Sequence, residues 1–479
     1  MKNYSELFGK QMIDGQWVNP STTHRVNVEN PATREIIAGI PAGSESDARK
    51  AIEAAERAFS AWAKTPVEER IHLMEHLLQY LHAAREEIVF WESAELGMPK
   101  AYVRRKHCDY QLSRIEAYIE CTRQIRFLSR RKKAAVRIEP LGVVSCLTPW
   151  NYPLGQIIQK VIPALLMGNT VVLKPSSLAP LTSVILAEAF RQAGFPDGVF
   201  NLINGVGTRF GGVLTDHPSV GMISFTGSTE IGRALAMRAA AGLKPINLEL
   251  GGKSPCIWLP GIDDYEPACR TLFNSVFLNA GQTCTSLSRL LIPESMKDEA
   301  EKLLKRLCSE YRIGMPDDPL AVVGPVISRG QYDRVSDFIR LGLKEGATLL
   351  VGEVPPAEPQ GGWFIRPVIF TDVTENMHIA QEEIFGPVLC VMTYRDREDA
   401  LRIANGTKYG LSSAVFGPAG EAEAFAAELE AGNVFINNSP RDITAPFGGF
   451  KESGIGYESG VEGLMAFTHI KSIFDGRKA

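Results

Sequence analysis

The stretch LGVVSCLTPWNYP, residues 141–153, begins the part of the chain whose pattern decides the fold. A short apolar run is followed at once by a polar and aromatic turn, and this order recurs through residue 250. The runs predicted as strands are Val143–Leu147, Thr170–Leu173, Val199–Ile203, Met222–Phe225 and Ile246–Leu250. Helical patterns separate them, for example Leu181–Gln192 and Ile231–Ala240. The alternation predicts a doubly wound α/β domain, in which helices cover both faces of a parallel sheet.

Helical patterns precede this sheet. Residues 44–62 predict an amphipathic helix that Ser44 and Asp47 cap. A second helical stretch is predicted from about Val67 to Leu96, where Gly97 stops it. We expect both helices to support the fold and to contribute no catalytic residue.

A second α/β pattern follows residue 252. It contains predicted strands at Leu287–Ile292 and Val388–Thr393 and a predicted helix at Lys297–Tyr311. The alternating end of the chain, His469–Ile473, predicts a terminal strand that pairs with another subunit.

Composition restricts the class of protein. A chain of 479 residues predicts two or three domains, and 51 basic against 55 acidic residues give a net charge of −4, which disfavours nucleic acid as a partner. The basic cluster between Arg126 and Arg137 favours a solvated hairpin or subunit edge over a phosphate site. Neither a signal-peptide core in residues 1–6 nor an apolar run of membrane-spanning length is present. The eight scattered cysteines predict reduced cytoplasmic thiols and no metal centre.

Two segments suggest covalent catalysis: ELGGK, which begins at Glu249, and GQTC, which ends at Cys284. A thiol attacks a carbonyl carbon, and a carboxylate later activates water against the thioester. Small polar residues surround Cys284, whereas the other seven cysteines are interpreted as inert and buried. Glu249 ends an apolar strand, where it is either a general base with a raised pKa or a salt-bridge partner.

Further polar residues follow predicted strands. Asn151 lies between two prolines and is either a turn residue or a donor to an oxyanion, a role worth about 3 kcal/mol of barrier in comparable sites. Lys160 and Lys253 are candidate charge or proton-relay partners, although each is more commonly a surface lysine.

The usual dinucleotide fingerprint is absent, because Gly211 follows Gly207 one residue too late. The segment FTGSTEIG, residues 225–232, is a better candidate, since a helix that begins near Ser228 directs free amides towards a pyrophosphate. An ordinary helix cap explains it equally well. Lys174-Pro-Ser-Ser177 follows another strand and is either a ribose or phosphate site or a surface turn.

Seven segments together are similar to the motifs of one family. They are, in chain order, PWNYP, KPS, FTGST, ELGGK, GQTC, EEIFGP and PFGGFK. The chain resembles the NAD(P)-dependent aldehyde dehydrogenase superfamily along essentially its whole length. The resemblance implies a Rossmann-type cofactor domain (residues 1–120 and 141–252), an α/β catalytic domain (253–452) and a β oligomerisation arm (121–140 and 453–479). A homodimer or homotetramer is implied as well.

The resemblance also implies roles. Cys284 is expected to be the nucleophile, Glu249 the general base, Asn151 the oxyanion-hole side chain, and Lys160 a lysine linked to the base through water. For the cofactor, it places Lys174 at the adenosine ribose, Gly227 and Ser228 at the pyrophosphate, Glu383 at the nicotinamide ribose and Phe385 beside the nicotinamide. The remaining predicted cofactor residues are Trp150, Ser176, Ser177, Gly207, Phe225, Thr226, Leu250 and Gly251.

The implied reaction is oxidation of an aldehyde to the acid through a cysteine thiohemiacetal and a thioester. Two alternatives are an acylating, coenzyme A-dependent semialdehyde dehydrogenase and a non-catalytic binding protein on the same fold. Many NAD-preferring members carry glutamate at the position of Ser177, so acceptance of NADP is predicted alongside NAD.

The sequence defines the identity of the aldehyde substrate less well than the reaction. Gly155, Gln156 and Gln159 predict an entrance more polar than long-chain aldehydes require. Arg441 either binds the carboxylate of a semialdehyde or is a solvated loop arginine. No tryptophan adjoins Cys284 to form an aromatic cage, which disfavours betaine aldehyde.

Overall fold

A computed structural model describes residues 4–475; residues 1–3 and 476–479 of the predicted cofactor domain and arm lie outside that range. The strands are β1 Gln11–Ile13, β2 Gln16–Val18, β3 Arg25–Glu29, β4 Ile36–Pro41, β5 Leu128–Arg130, β6 Ala134–Pro140, β7 Val143–Leu147, β8 Thr170–Lys174, β9 Phe200–Leu202, β10 Val220–Thr226, β11 Ile246–Glu249, β12 Pro255–Trp258, β13 Arg289–Pro293, β14 Thr348–Val351, β15 Val368–Thr371, β16 Val388–Tyr394, β17 Tyr409–Gly410, β18 Ser412–Phe416, β19 Asn433–Ile436, β20 Phe450–Lys451, β21 Gly454–Ile455 and β22 Thr468–Phe474.

The α-helices are α1 Glu45–Trp62, α2 Val67–Ala83, α3 Arg85–Leu96, α4 Lys100–Tyr102, α5 Tyr110–Arg123, α6 Pro153–Leu166, α7 Leu181–Gln192, α8 Gly207–Asp216, α9 Thr229–Ala241, α10 Glu266–Val276, α11 Lys297–Cys308, α12 Arg329–Lys344, α13 His378–Gln381, α14 Arg397–Asn405, α15 Ala419–Ala426 and α16 Gly460–Met465. A π-helix, Val103–Asp109, joins α4 to α5. No helix in the described range combines the length and the apolar composition needed to cross a membrane.

The first sheet has the doubly wound order that the sequence predicts. Its strands lie in the order β2-β1-β9-β8-β7-β10-β11-β21, and the five from β9 to β11 are parallel. Within the parallel part of the sheet, β7 comes first in the sequence and later strands are added on both sides of it, so the order reverses between β7 and β10. In such sheets ligands bind outside the carboxyl ends of the strands at this point of reversal. Asn151 and Gly227 follow β7 and β10, and Glu249 is the last residue of β11, so all three lie at that edge.

A second sheet has the order β14-β15-β16-β13-β12-β18-β19 and is parallel except for β14. It confirms the second α/β pattern. A third, antiparallel sheet joins the C-terminal strand β22 to the hairpin β5–β6. The basic cluster therefore lies in a hairpin. Strand β21, from the segment predicted as arm, pairs instead with β11 beside Glu249.

The predicted N-terminal helices are confirmed except for one break. In α1, the Ser44 hydroxyl accepts a bond from the Asp47 amide, and the Asp47 carboxylate accepts one from the Ser44 amide. The prediction of one helical stretch from Val67 to Leu96 is wrong, because Ala84 (φ −90°, ψ 11°) leaves the helical conformation and separates α2 from α3. Gly97 ends α3 in the left-handed region (φ 66°), as expected for a helix stop.

Candidate active site

The loop that carries Cys284 has an unusual backbone. Asn279, Ala280 and Gly281 all have positive φ, at 55°, 52° and 72°. A Cβ on Gly281 would lie 2.0 Å from the carbonyl oxygen of Gly386, so only glycine fits this close approach. The Gln282 side chain fixes the loop further, because its Nε2 donates to the Asn279 carbonyl (3.0 Å) and its Oε1 accepts from the Ile327 amide (2.8 Å).

Cys284 lies where two cavities meet. It lines one cavity of about 540 Å³ and a second of about 510 Å³. It is half-buried, whereas the other seven cysteines are buried. Burial, together with the negative charges of Glu383 and Glu249, raises the pKa of the Cys284 thiol to about 12. Both effects favour the protonated thiol over the thiolate.

Asn151 is next to the Cys284 loop, although the two segments are far apart in the sequence. Its Nδ2 donates to the carbonyl of Gln282 (3.0 Å), and the Asn279 Nδ2 donates to the Asn151 carbonyl (3.0 Å). The carboxyl end of β7 and the start of α6 are thereby joined to the loop. An amide donor and the loop backbone lie together, as an oxyanion site requires.

Glu249 is buried at the end of β11 and has no ion-pair partner in the described structure. Neither carboxylate oxygen has a hydrogen-bond partner there. Burial and the nearby charge of Glu458 raise the pKa of Glu249 well above its ordinary value, and the positive charges of Lys160 and Arg441 oppose that rise. A buried, unpaired carboxylate of this kind is suited to accept a proton near neutral pH.

Lys160 is a buried lysine with a partner that the sequence did not reveal. Its Nζ lies 2.5 Å from Oε1 of Glu458, and both side chains are fully buried. The Gln159 side chain also donates to Glu458. Because Glu458 lies 298 residues from Lys160, no local pattern marks it as a site residue. Lys253 is buried too, and its Nζ has no hydrogen-bond partner in the described range.

The 510 Å³ cavity collects most of the predicted cofactor residues. Those in its wall are Trp150, Thr226, Gly227, Ser228, Leu250, Gly251, Glu383 and Phe385. The others, Lys174, Ser176, Ser177, Gly207 and Phe225, lie outside this wall. Lys174 and Gly207 are neighbours, since a Cβ on Gly207 would lie 3.3 Å from the lysine Cε. Phe225 lies against Gly227, where a Cβ would meet its ring at 2.3 Å.

The cavity wall fits a dinucleotide at two places. Helix α9 begins there with Ser228 as its cap, so amides and the positive end of the helix dipole face an anion site. The buried Thr226 hydroxyl has no hydrogen-bond partner in the described chain. The Glu383 carboxylate accepts from the Gly252 amide (3.0 Å) and retains an oxygen for a hydroxyl group. Burial raises the pKa of Glu383 to about 7.

The 540 Å³ cavity contains all three predicted substrate residues, Gln156, Gln159 and Arg441. The Gln156 Oε1 is buried without a hydrogen-bond partner in the described residues. Arg441 is half-buried, with its guanidinium carbon 4.6 Å from the centre of the Phe447 ring. The two cavities thus separate the predicted substrate residues from the predicted cofactor residues, with Cys284 between them.

Comparison with known proteins identifies the family. Residues 17–473 match the aldehyde dehydrogenase family. Aldehyde dehydrogenase C from Pseudomonas syringae, solved with NAD+ and octanal, is 37% identical over 98% of this chain and 97% of its own, with a TM-score of 0.96. An aldehyde dehydrogenase from Mycobacterium tuberculosis, solved with NAD+, is 37% identical over 98% of both chains (TM-score 0.95). Betaine aldehyde dehydrogenase from Staphylococcus aureus is 34% identical over 98% and 96% (TM-score 0.93).

These matches cover nearly the whole chain in both sequence and fold. They confirm the aldehyde dehydrogenase-like architecture that the seven motifs implied. The chain therefore belongs to the aldehyde dehydrogenase family, and it is an oxidoreductase that acts on aldehydes.

Proposed function

We propose that this aldehyde dehydrogenase oxidises an aldehyde to the free carboxylic acid with NAD or NADP, using Cys284 as nucleophile and Glu249 as general base. One observation carries the proposal: the Cys284 thiol is the common wall of a cavity suited to a dinucleotide and a cavity suited to a small substrate.

The roles follow from the contacts. Cys284 first loses its thiol proton to water. Its Sγ then bonds to the aldehyde carbon, the carbon–oxygen π bond opens, and the oxygen becomes an oxyanion that Asn151 Nδ2 and the Cys284 amide stabilise. The dinucleotide, when bound, supplies the acceptor for the hydride that leaves this carbon. The acyl group then remains on Cys284 as a thioester. Glu249 takes a proton from water, the water oxygen bonds to the acyl carbon, and the carbon–sulfur bond breaks to release the acid.

The test is a mass balance without coenzyme A. We expect one reduced dinucleotide and one carboxylic acid for each aldehyde consumed, because Glu249 allows hydrolysis of the thioester. Acyl-coenzyme A formed faster than acid, once coenzyme A is added, would favour the acylating alternative. Absence of any reduced dinucleotide across aliphatic, aromatic and acidic aldehydes would favour a non-catalytic protein.

The choice of dinucleotide is proposed to include NADP. The NAD+ complexes of the Pseudomonas and Mycobacterium relatives support binding of NAD. Ser177 places no negative charge where a 2′-phosphate would be repelled. Nearby, Lys174 forms no ion pair within residues 4–475, and burial lowers its pKa to about 8. An additional phosphate would stabilise its charged form.

Ser177→Glu is expected to shift preference towards NAD by about tenfold or more, because a carboxylate repels the 2′-phosphate. The measurement is the ratio of kcat/KM for NAD to that for NADP. Ser177→Gln is the control, since it adds the same bulk without charge. Equal shifts in both variants would contradict the electrostatic explanation, and a wild-type preference for NAD above about a hundredfold would contradict NADP acceptance.

We propose that the protein is a cytoplasmic homo-oligomer. The third sheet exposes apolar side chains, with Ile470 68% and Phe474 75% exposed, and its strands β5 and β22 are edges to which a second copy can add. The free state of all eight cysteines supports a reducing compartment. Sedimentation equilibrium that shows only a monomer of 52.5 kDa would contradict assembly, and a secreted or periplasmic fraction would contradict the location.

A further inference from the structure

The aldehyde-side cavity contains a group of positive side chains, Arg105, Lys106, Arg114 and Arg441, here called the cationic cluster. No aspartate or glutamate belongs to the wall of this cavity in the described structure. None of the four side chains forms a salt bridge within residues 4–475. By contrast, the adjacent Arg104 lies outside the cavity and pairs with Glu86 at 2.6 Å. The four cations that line the cavity thus differ from their neighbour Arg104, which has an acidic partner.

Arg114 and Arg441 form the inner part of the cluster. Both are half-buried, and the Nε of each is buried without a hydrogen-bond partner among the described residues. Such donors cost about 1–3 kcal/mol when they remain unsatisfied. Burial, and then the positive charge of Arg114, lower the pKa of Arg441. An anion between the two guanidinium groups would satisfy the donors and remove the repulsion.

The backbone holds these cations in place. The π-helix Val103–Asp109 carries Arg105 and Lys106 and continues into α5, which carries Arg114. π-helical turns are rare and are frequently found at functional sites. The Tyr110 ring contacts both Lys106, with Nζ 5.5 Å from the ring centre, and Arg114, with its guanidinium carbon at 5.2 Å. Lys106, Tyr110 and Arg114 therefore form one continuous row along the cavity wall.

Each of the two inner arginines lies near an aromatic ring. The Arg114 guanidinium lies over Tyr110 and that of Arg441 over Phe447. A cation–π contact uses the face of the ring and takes no hydrogen bond from the guanidinium N–H edges. Those edges match the oxygens of a carboxylate or phosphate, which arginine binds through two parallel hydrogen bonds.

Building on the function proposed above, we propose that the substrate is an aldehyde with an anionic group, carboxylate or phosphate, remote from its carbonyl. Arg114 and Arg441 bind that group while the carbonyl reaches Cys284. Arg105 and Lys106 are exposed and attract the anion towards the cavity. Uncharged aldehydes would leave the inner donors unsatisfied.

The test compares matched aldehydes. Succinic semialdehyde is paired with butanal, and glyceraldehyde 3-phosphate with glyceraldehyde, so that each pair differs in its anionic group. We expect kcat/KM to favour the anionic member of at least one pair by about tenfold or more. The pair with the larger ratio distinguishes carboxylate from phosphate.

Arg114→Gln and Arg441→Gln are each expected to lower kcat/KM for the preferred anionic aldehyde by about tenfold to a hundredfold, mainly through KM. The loss of kcat/KM should be at least about tenfold larger for the anionic aldehyde than for its uncharged partner. Arg104→Gln removes a charge from the same π-helix outside the cavity and should leave both activities unchanged. Succinate or phosphate, whichever matches the preferred aldehyde, should raise the Tm of wild type and have less effect on either cavity variant.

The outcomes separate the hypotheses. Because Arg441 also acts electrostatically on Cys284 and Glu249, an equal loss of activity on both members of a pair would assign it to those groups and overturn the inference. Equal wild-type activity on both members of each pair would also overturn it, while leaving aldehyde oxidation intact. Failure to oxidise any aldehyde would overturn the proposed function itself.

Discussion

Cys284→Ala is expected to lower NAD(P)H formation by at least about 10⁴-fold while dinucleotide binding persists, because the variant has no atom that can bond to the aldehyde carbon. Cys284 is half-buried between both cavities, whereas every other cysteine is buried. No other thiol is therefore placed to substitute for it. Stopped-flow absorbance measures the first step, and calorimetric titration with NAD measures binding.

Cys308→Ala is the matched control, since it removes a buried thiol near the end of α11, outside both cavities. It should retain wild-type turnover. Substantial dehydrogenase activity in Cys284→Ala would remove Cys284 from the mechanism. Loss of dinucleotide binding together with activity would indicate a damaged fold, which circular dichroism would detect.

Glu249→Gln is expected to release one equivalent of reduced dinucleotide per subunit and then stall, with steady-state turnover lowered by about 10²–10⁴-fold. Glutamine has nearly the same shape but accepts no proton from water, so the thioester on Cys284 persists. Rapid-mixing kinetics would show the burst, and mass spectrometry of the quenched protein would show the acyl group. A variant that turns over without stalling would place the base elsewhere.

The pH dependence has a defined sign. Burial raises the pKa of Glu249 above its ordinary value of 4.5, and only the ionised form accepts a proton. The hydrolysis step should therefore slow as pH falls through this raised pKa, at pH values where an exposed carboxylate is still ionised. Glu462→Gln, at an exposed position in α16, should keep that dependence, and Glu249→Gln should lose it.

Much of the fold could be predicted because local patterns determine it. Strand β7 and helix α7 begin and end at the predicted residues, since apolar runs and helical periodicity there are bounded by polar turns. The gathering of Asn151, Gly227 and Glu249 also follows, because parallel strands end at one edge. The sequence carries no comparable local pattern for the break at Ala84 or for the π-helix after α4, so neither could be predicted.

The site was predictable in its motifs but less so in its contacts. Glu458 binds Lys160 across 298 residues, and no motif joins them. The positive φ angles of Asn279 and Ala280 depend on the surrounding structure, because neither residue requires that conformation. The cationic cluster was partly predicted, since Arg441 follows from its position before a motif. Arg114 belongs to a helix whose orientation only the fold determines.

The position of Cys284 between two cavities has a consequence for inhibition. Because Cys284 is the only described residue that lines both cavities, a molecule that fills the substrate side need not displace the dinucleotide. Such an inhibitor should compete with the aldehyde and form a ternary complex with the dinucleotide. A molecule in the other cavity should show the reverse pattern, and a reagent that bonds to the Cys284 sulfur reaches it from either side.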